Sequence, residues 1–316
     1  MRELYPEIQP FAVHRLPAGG AHELHVEECG SRNGIAVLFL HGGPGSGCNE
    51  NHRRYFNPEK YHIVLFDQRG CHRSRPRGGV SDNTTSDLLA DIELIRERVG
   101  VERWVVYGGS WGATLSLLYA EHFPARVTAM VLRGTFLARA GDLEWFINAG
   151  ANRVFPEHWA EFVEHIPPAE RSELVSAYHR RIHEGDPAQR LAAARSWALW
   201  GARVTTYLLP AVNPPVEEDS QKILAEAAIE THYALNRYFI GEDQILRDIG
   251  RLPCVPVRLI HGRRDLTCTL ESSWALKRAI PGARLNIVEQ GGHLAGEPVM
   301  VDALIGATDE LAEELS

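Results

Sequence analysis

The run YGGSWGATLS, residues 107–116, holds Ser110 between Gly108 and Gly112 directly after an apolar stretch and ahead of another. A serine hydroxyl is a poor nucleophile at neutral pH, so it needs a base for its proton and donors for the oxyanion it creates. Gly-x-Ser-x-Gly alone is a weak signal, and its surroundings have to confirm it. Here RWVVYGG reads as a buried strand and WGATLSLLYAEHF as a helix ended by Pro124. Strand, sharp turn and helix are the setting of a nucleophile elbow, whose flanking glycines leave room for a strained backbone. An upstream loop, HGGPG (41–45), follows another strand end and can offer the N–H of Gly43 to an oxyanion. The N–H of Trp111 would be the second donor, at a helix N-terminus whose dipole favours negative charge. Of the 15 histidines, His293 fits a general base, since NIVEQGGH leaves it in a loop just past a late strand. Asp265, in LIHGRRD, lies past the preceding strand end and between Ser110 and His293 in chain order. Asp243 and Asp248 are poorer candidates for that acid, being in an insertion or its exit. The expectation is Ser110 as nucleophile, His293 as base and then acid, and Asp265 orienting the imidazole, a set suited to acyl transfer.

The elements that must carry these side chains alternate. AVLFLHGGPGSG (36–47) and YHIVLFDQRG (61–70) read as strands ending in polar turns. SDNTTSDLLADIELIRERVG reads as a helix, with Thr84, Thr85 or Ser86 able to cap it and Gly100 at its C-terminal stop. RVTAMVLRG (126–134), VPVRLIHG (255–262) and ARLNIVEQGGH (283–293) are further strands, and a last helix covers roughly 298–315. Such alternation predicts a mostly parallel sheet covered on both faces. Between 135 and 250 the rhythm changes to helical patterns, PAQRLAAARSWALW and SQKILAEAAIETHYALNRYF, interrupted by proline pairs at 167–168 and 214–215. The expected architecture is a core of residues 1–134 and 251–316 with a helical cap, 135–250, inserted in it.

The bulk numbers suit one large core plus a smaller subdomain: 316 residues, 44% hydrophobic and 23% charged. A formal charge of −8 and a pI near 6.0 argue against nucleic acid or an anionic membrane as main partner. The basic stretch RGCHRSRPRG (69–78) could bind an anion, and a solvated loop is the preferred reading. Five cysteines, at 29, 48, 71, 254 and 268, are too scattered for a disulfide framework or a CxxC metal or redox site. With no apolar leader and no run long enough to span a bilayer, the default compartment is the cytoplasm, release by another route staying open.

HGGPG, VLFDQRGC.RS, NTT.DL..DIE, YGGSWG, RVT..VLRG.F, FP..W..F...IPP.ER and HGR.D..C together resemble the prolyl aminopeptidases, also called proline iminopeptidases, from YPEIQP to the closing ATDEL. The resemblance implies the α/β-hydrolase fold and release of N-terminal proline from a small peptide, with no metal or cofactor. It also implies that cap acids receive the imino cation, because a buried charge without a counter-charge costs several kcal/mol. Glu230 matches one such acid, while Gly201 stands where the family has the other. Phe136 and Phe146 match apolar residues of the proline pocket, and Cys268 matches a pocket cysteine. His72 replaces a usual glycine. The loss at Gly201 keeps open an alternative, a related amidase or esterase acting on another small acyl substrate.

Overall fold

The computed structural model describes residues 1–208 and 219–316, so the proline pair at 214–215 lies outside the described residues. Among the described residues eight strands form one sheet: β1 (Ala12–Pro17), β2 (Glu23–Gly30), β3 (Ile35–Leu40), β4 (Tyr61–Asp67), β5 (Trp104–Gly109), β6 (Val127–Arg133), β7 (Val257–Gly262) and β8 (Arg284–Val288). Their order is β1-β2-β4-β3-β5-β6-β7-β8, with β1–β2 and β2–β4 antiparallel and every other pair parallel. The central strands are almost wholly buried, which their content of Val, Ile, Leu and aromatic residues permits. One sheet face packs against α1 (Thr85–Val99), α2 (Trp111–His122) and α10 (Leu270–Ala279); the other packs against α11 (Pro298–Glu314) and the 3-10 turn Glu50–Tyr55.

Local chemistry explains most element ends. Thr84 caps α1, its hydroxyl accepting the Asp87 N–H while the Asp87 carboxylate accepts the Thr84 N–H at 2.9 Å. Gly100 closes the same helix at φ 71°. The strands β1 and β2 escaped the sequence reading because β2 is buried yet polar. Glu27 accepts from Arg53 at 2.7 Å, and Glu28 lies 2.8 Å from His62 Nε2 and 2.7 Å from His14 Nε2. Hydropathy alone does not reveal a strand whose inward residues are carboxylates matched by partners elsewhere.

Between β6 and β7 run α3 (Ala140–Glu144), a π-helical turn (Trp145–Ala149), α4 (Ala151–Val154), α5 (Pro156–Glu164), α6 (Leu174–Glu184), α7 (Pro187–Thr206), α8 (Ser220–Leu235) and α9 (Gln244–Arg247). These helices have an apolar cluster of their own around Phe162, Tyr178, Trp197 and Trp200. Helix α8 ties it to the core: Ile223 and Ala227 belong to that cluster, Ile229 and Tyr233 to the core. A Cβ on Gly45 (φ 116°) would come within 3.3 Å of the Glu226 backbone, so the absent side chain lets α8 lie directly on the HGGPG loop.

Two expectations need correction. The helical pattern over 220–239 stops at Leu235, because Arg237, Tyr238 and Phe239 take φ of 49°, 55° and 54°. This turn sends the Tyr238 ring against Phe136 at 4.9 Å and Trp111 at 5.6 Å, and such packing offsets a strain of about 1 kcal/mol per residue. Nor is the basic stretch 69–78 a solvated loop. Arg69 is buried against Asp91 at 2.7 Å, Arg73 pairs with Asp67 at 2.8 Å and with Glu27, and Arg77 lies 3.3 Å from Asp219. The charge run is largely neutralised from within. His72 has φ 42°, a conformation glycine adopts freely, and its ring lies 3.3 Å from Asp67.

One buried acid should set the pH dependence of stability. Glu121, on α2, is 5% exposed with neither carboxylate oxygen hydrogen-bonded among the described residues. Burial, and then the Asp248 charge, push its pKa up to about 8. The folded pKa exceeds the unfolded one, so this contribution is fully present below the ordinary glutamate range and is lost as pH climbs through about 8. Glu121→Gln should therefore gain on the wild type by on the order of 3 kcal/mol between pH 5 and pH 9.5, read from urea midpoints.

Candidate active site

The carboxyl ends of β5, β6, β7 and β8 and the loops beyond them converge on one crevice, the usual site in open α/β sheets. Ser110 sits between β5 and α2 at φ 55°, ψ −124°, and its N–H donates to the Arg133 carbonyl at 2.9 Å. A Cβ on Gly108 would fall 2.1 Å from the Gly112 carbonyl oxygen, and one on Gly112 would fall 2.0 Å from that of Leu40. Both glycines are therefore required by space, which is the elbow's physical demand. The N–H groups of Gly43 and Trp111 donate to no partner among the described residues, and the Trp111 indole is anchored below by Gln68 Oε1 at 2.9 Å.

His293 follows β8 and Asp265 follows β7, and His293 Nδ1 donates to Asp265 Oδ2 at 2.7 Å. The other Asp265 oxygen accepts the N–H groups of Thr267 and Cys268, each at 2.9 Å. Burial alone would raise this carboxyl; the His293 ring beside it and these hydrogen bonds hold it below the usual carboxylate range. An ionised Asp265 can only accept, so Nδ1 of His293 carries a proton, and in the neutral imidazole Nε2 is the nitrogen with the lone pair. The His293 backbone is clamped as well. Arg133 Nη1 donates to its carbonyl, while Glu297 accepts the N–H of Gly292 at 2.7 Å and of Leu294 at 3.2 Å. Ser110 Oγ lies 3.9 Å from Cys268 Sγ and makes no hydrogen bond to His293, a common looseness where no substrate is bound.

Ser110, His293, Gly43, Glu230, Phe136, Phe146 and Cys268 all line one cavity of about 790 Å³ between sheet and helices. Asp265 stands behind His293, and the Trp111 side chain is buried beneath. Asp248 is instead 3.3 Å from Arg247, and Asp243 lines a smaller side pocket. Cys268 is buried and its thiol is pushed well above the ordinary range, so it is a neutral packing group. Glu230 Oε2 accepts the Trp197 indole N–H at 2.6 Å. Burial, and then the neighbouring Glu226 charge, push Glu230 up to about 8, although the Trp197 bond opposes this.

Sequence reasoning missed three side chains here. Glu226 lines the cavity one helical turn before Glu230, and the spacing in AEAAIE puts both acids on one face of α8. Arg133 ends β6, where strand ends feed the crevice, and Glu297 lies four residues past His293. At Gly201 a Cβ would meet nothing within 4 Å, so the position opens onto free volume. Among the described residues no three metal-ligating side chains cluster, and no helix is long and apolar enough to cross a membrane.

Residues 35–297 match the family described as the alpha/beta hydrolase fold. The chain is 47% identical over 310 residues to the proline iminopeptidase of Xylella fastidiosa, covering 98% of this chain and 99% of that protein. It is 48% identical over 313 residues to the proline iminopeptidase of Xanthomonas citri, covering 99% and 100%. A solved hydrolase from Pseudomonas aeruginosa aligns with a TM-score of 0.61 at 16% identity, over 95% of this chain and 98% of that one, a likeness of fold alone.

Proposed function

Since this chain belongs to the proline iminopeptidase family of α/β hydrolases, we propose that it is a serine aminopeptidase releasing N-terminal proline from short peptides. Ser110 Oγ attacks the prolyl carbonyl as His293 Nε2 takes its proton, and the N–H groups of Gly43 and Trp111 hold the oxyanion. Collapse expels the peptide amine, which carries away the proton from His293 and leaves a prolyl ester on Ser110. Water, activated by the same imidazole, then frees proline. Asp265 keeps the tautomer and stabilises the imidazolium in both halves.

The observation that carries this reading is the acid pair, Glu226 and Glu230, in the cavity that Ser110 and His293 also line. The substrate's imino cation would lie against these carboxylates, its ring against Phe136, Phe146 and Cys268. Residues 135–250 act as a lid that closes the space beyond one residue. The second cap acid of the family, absent at Gly201, is matched in charge by Glu226 from another helix. The open volume at Gly201 favours a second reading, a hydrolase for a bulkier acyl group.

The test is a proline arylamide against its acetyl-proline counterpart. Blocking the nitrogen removes the cation that the acids are built for, so kcat/KM should fall by about 100-fold or more. Equal rates would reject the aminopeptidase reading, and efficient short-ester hydrolysis alone would favour the second.

A further inference from the structure

Three arginines near this site are paired: Arg53 with Glu27, Arg69 with Asp91, Arg73 with Asp67. Arg133 is not. It lines the cavity half-buried, donates from Nη1 to the His293 carbonyl, and has no carboxylate within ion-pair distance among the described residues. The acid of the neighbouring loop, Glu297, is engaged by the N–H groups of Gly292 and Leu294. Close packing fixes the guanidinium in place, since a Cβ on Gly109 would fall 2.3 Å from its Nη2.

The groups around it are donors. Tyr107 lines the same cavity and is 3% exposed; its buried hydroxyl, which feels the Arg133 charge, has no hydrogen-bond partner among the described residues. Tyr107 stacks on Phe39 at 5.3 Å and lies 6.1 Å from Tyr55, and Phe39 stacks on His52 at 4.5 Å. Burial, then the charges of His41 and Arg133, push His52 down to about 4, so it is neutral and can donate. An unneutralised cation facing a cavity beside an unpartnered hydroxyl is costly unless an anion completes it.

Arguing from the aminopeptidase reading, we propose that Arg133 and Tyr107 form a binding site for the C-terminal carboxylate of a di- or tripeptide substrate. The cavity then carries one charge for each end of a zwitterion: acids on cap helix α8 for the imino nitrogen, and a cation at the end of β6 for the carboxylate. At about 790 Å³ it is of a size for a small molecule.

The experiment compares Pro-Ala with Pro-Ala amide, with proline arylamide as a control lacking any carboxylate. The wild type should favour the free acid by about tenfold or more in kcat/KM, and the preference should decline in longer peptides. Arg133→Gln should bring the acid-to-amide ratio close to one. Tyr107→Phe, which removes a single oxygen, should lower the ratio by about threefold. Arg133 also holds the His293 loop, so its variant is read by this ratio, in which a loss common to both substrates cancels. Equal wild-type rates on acid and amide, with the arylamide still cleaved, would overturn this site and leave the aminopeptidase reading standing. A ratio unchanged in both variants would likewise overturn it. If neither dipeptide nor arylamide is cleaved, the aminopeptidase reading falls and takes this one with it.

Discussion

Ser110→Ala is expected to lower kcat for proline arylamide by about 10⁴- to 10⁶-fold while leaving KM and the urea midpoint close to those of the wild type. The hydroxyl makes no strong hydrogen bond in the resting site, its contact being Cys268 Sγ at 3.9 Å, so its loss should cost the fold little. The backbone at φ 55° is strained for alanine as for serine, and the Ser110 N–H still donates to Arg133. What disappears is the atom that bonds to the acyl carbon. Residual activity should be that of binding and oxyanion donors alone, and His293→Ala combined with Ser110→Ala should cost hardly more than either change singly, because nucleophile and base act as a unit. A Ser110→Ala enzyme retaining a tenth of wild-type kcat would remove this serine from the mechanism.

Glu230→Gln should raise KM for proline arylamide by about 100-fold at pH 8 and change kcat much less, since the acid contacts the bound cation and not the reacting atoms. The pH profile should change with it. Glu230 ionises only near pH 8 in the free enzyme, so below that value a cationic substrate must displace its proton. Wild-type kcat/KM should rise by up to about tenfold per pH unit below 8, and the glutamine variant should lack that step. The groups sharing this part of the cavity are Glu226 on the same helix, Tyr238 beyond its end, Cys268 after β7 and Asp142 on α3. Of these, Glu226 is the charge that raises Glu230, and Asp142 is paired with Arg139 at 2.7 Å. Stability should move oppositely. A carboxyl raised in the folded state stabilises most at low pH and loses that contribution as pH passes 8, so the variant should melt higher than the wild type in alkali. A wild-type profile flat from pH 6 to 9, together with an unaltered KM in the variant, would dissociate Glu230 from the substrate.

How much of this was legible depended on distance along the chain. The elbow was legible because its requirement is local: Gly108 and Gly112 are needed within four residues of each other by the turn they share with Ser110. The central strands were legible because burial on both faces forces a predominantly apolar run, as in Ile35–Leu40 and Tyr61–Asp67. The polar strand β2 was not, since Glu27 and Glu28 are tolerable inside through partners such as Arg53 and His62, 26 and 34 positions away. The basic stretch misled for the same reason, its arginines being cancelled by Glu27 and Asp91.

The sequence by itself determined the sheet's alternating plan, the strained turn at Ser110, and the chain order that brings His293 and Asp265 to adjacent strand ends. Periodicity, glycine placement and order suffice for these, because backbone sterics and burial act over a few residues. Only the tertiary structure decided which charges share the cavity: Glu226 beside Glu230, Arg133 without a counter-ion among the described residues, open space at Gly201. Electrostatic partnership depends on separation in space and on exclusion of water, and neither can be read from positions along a chain.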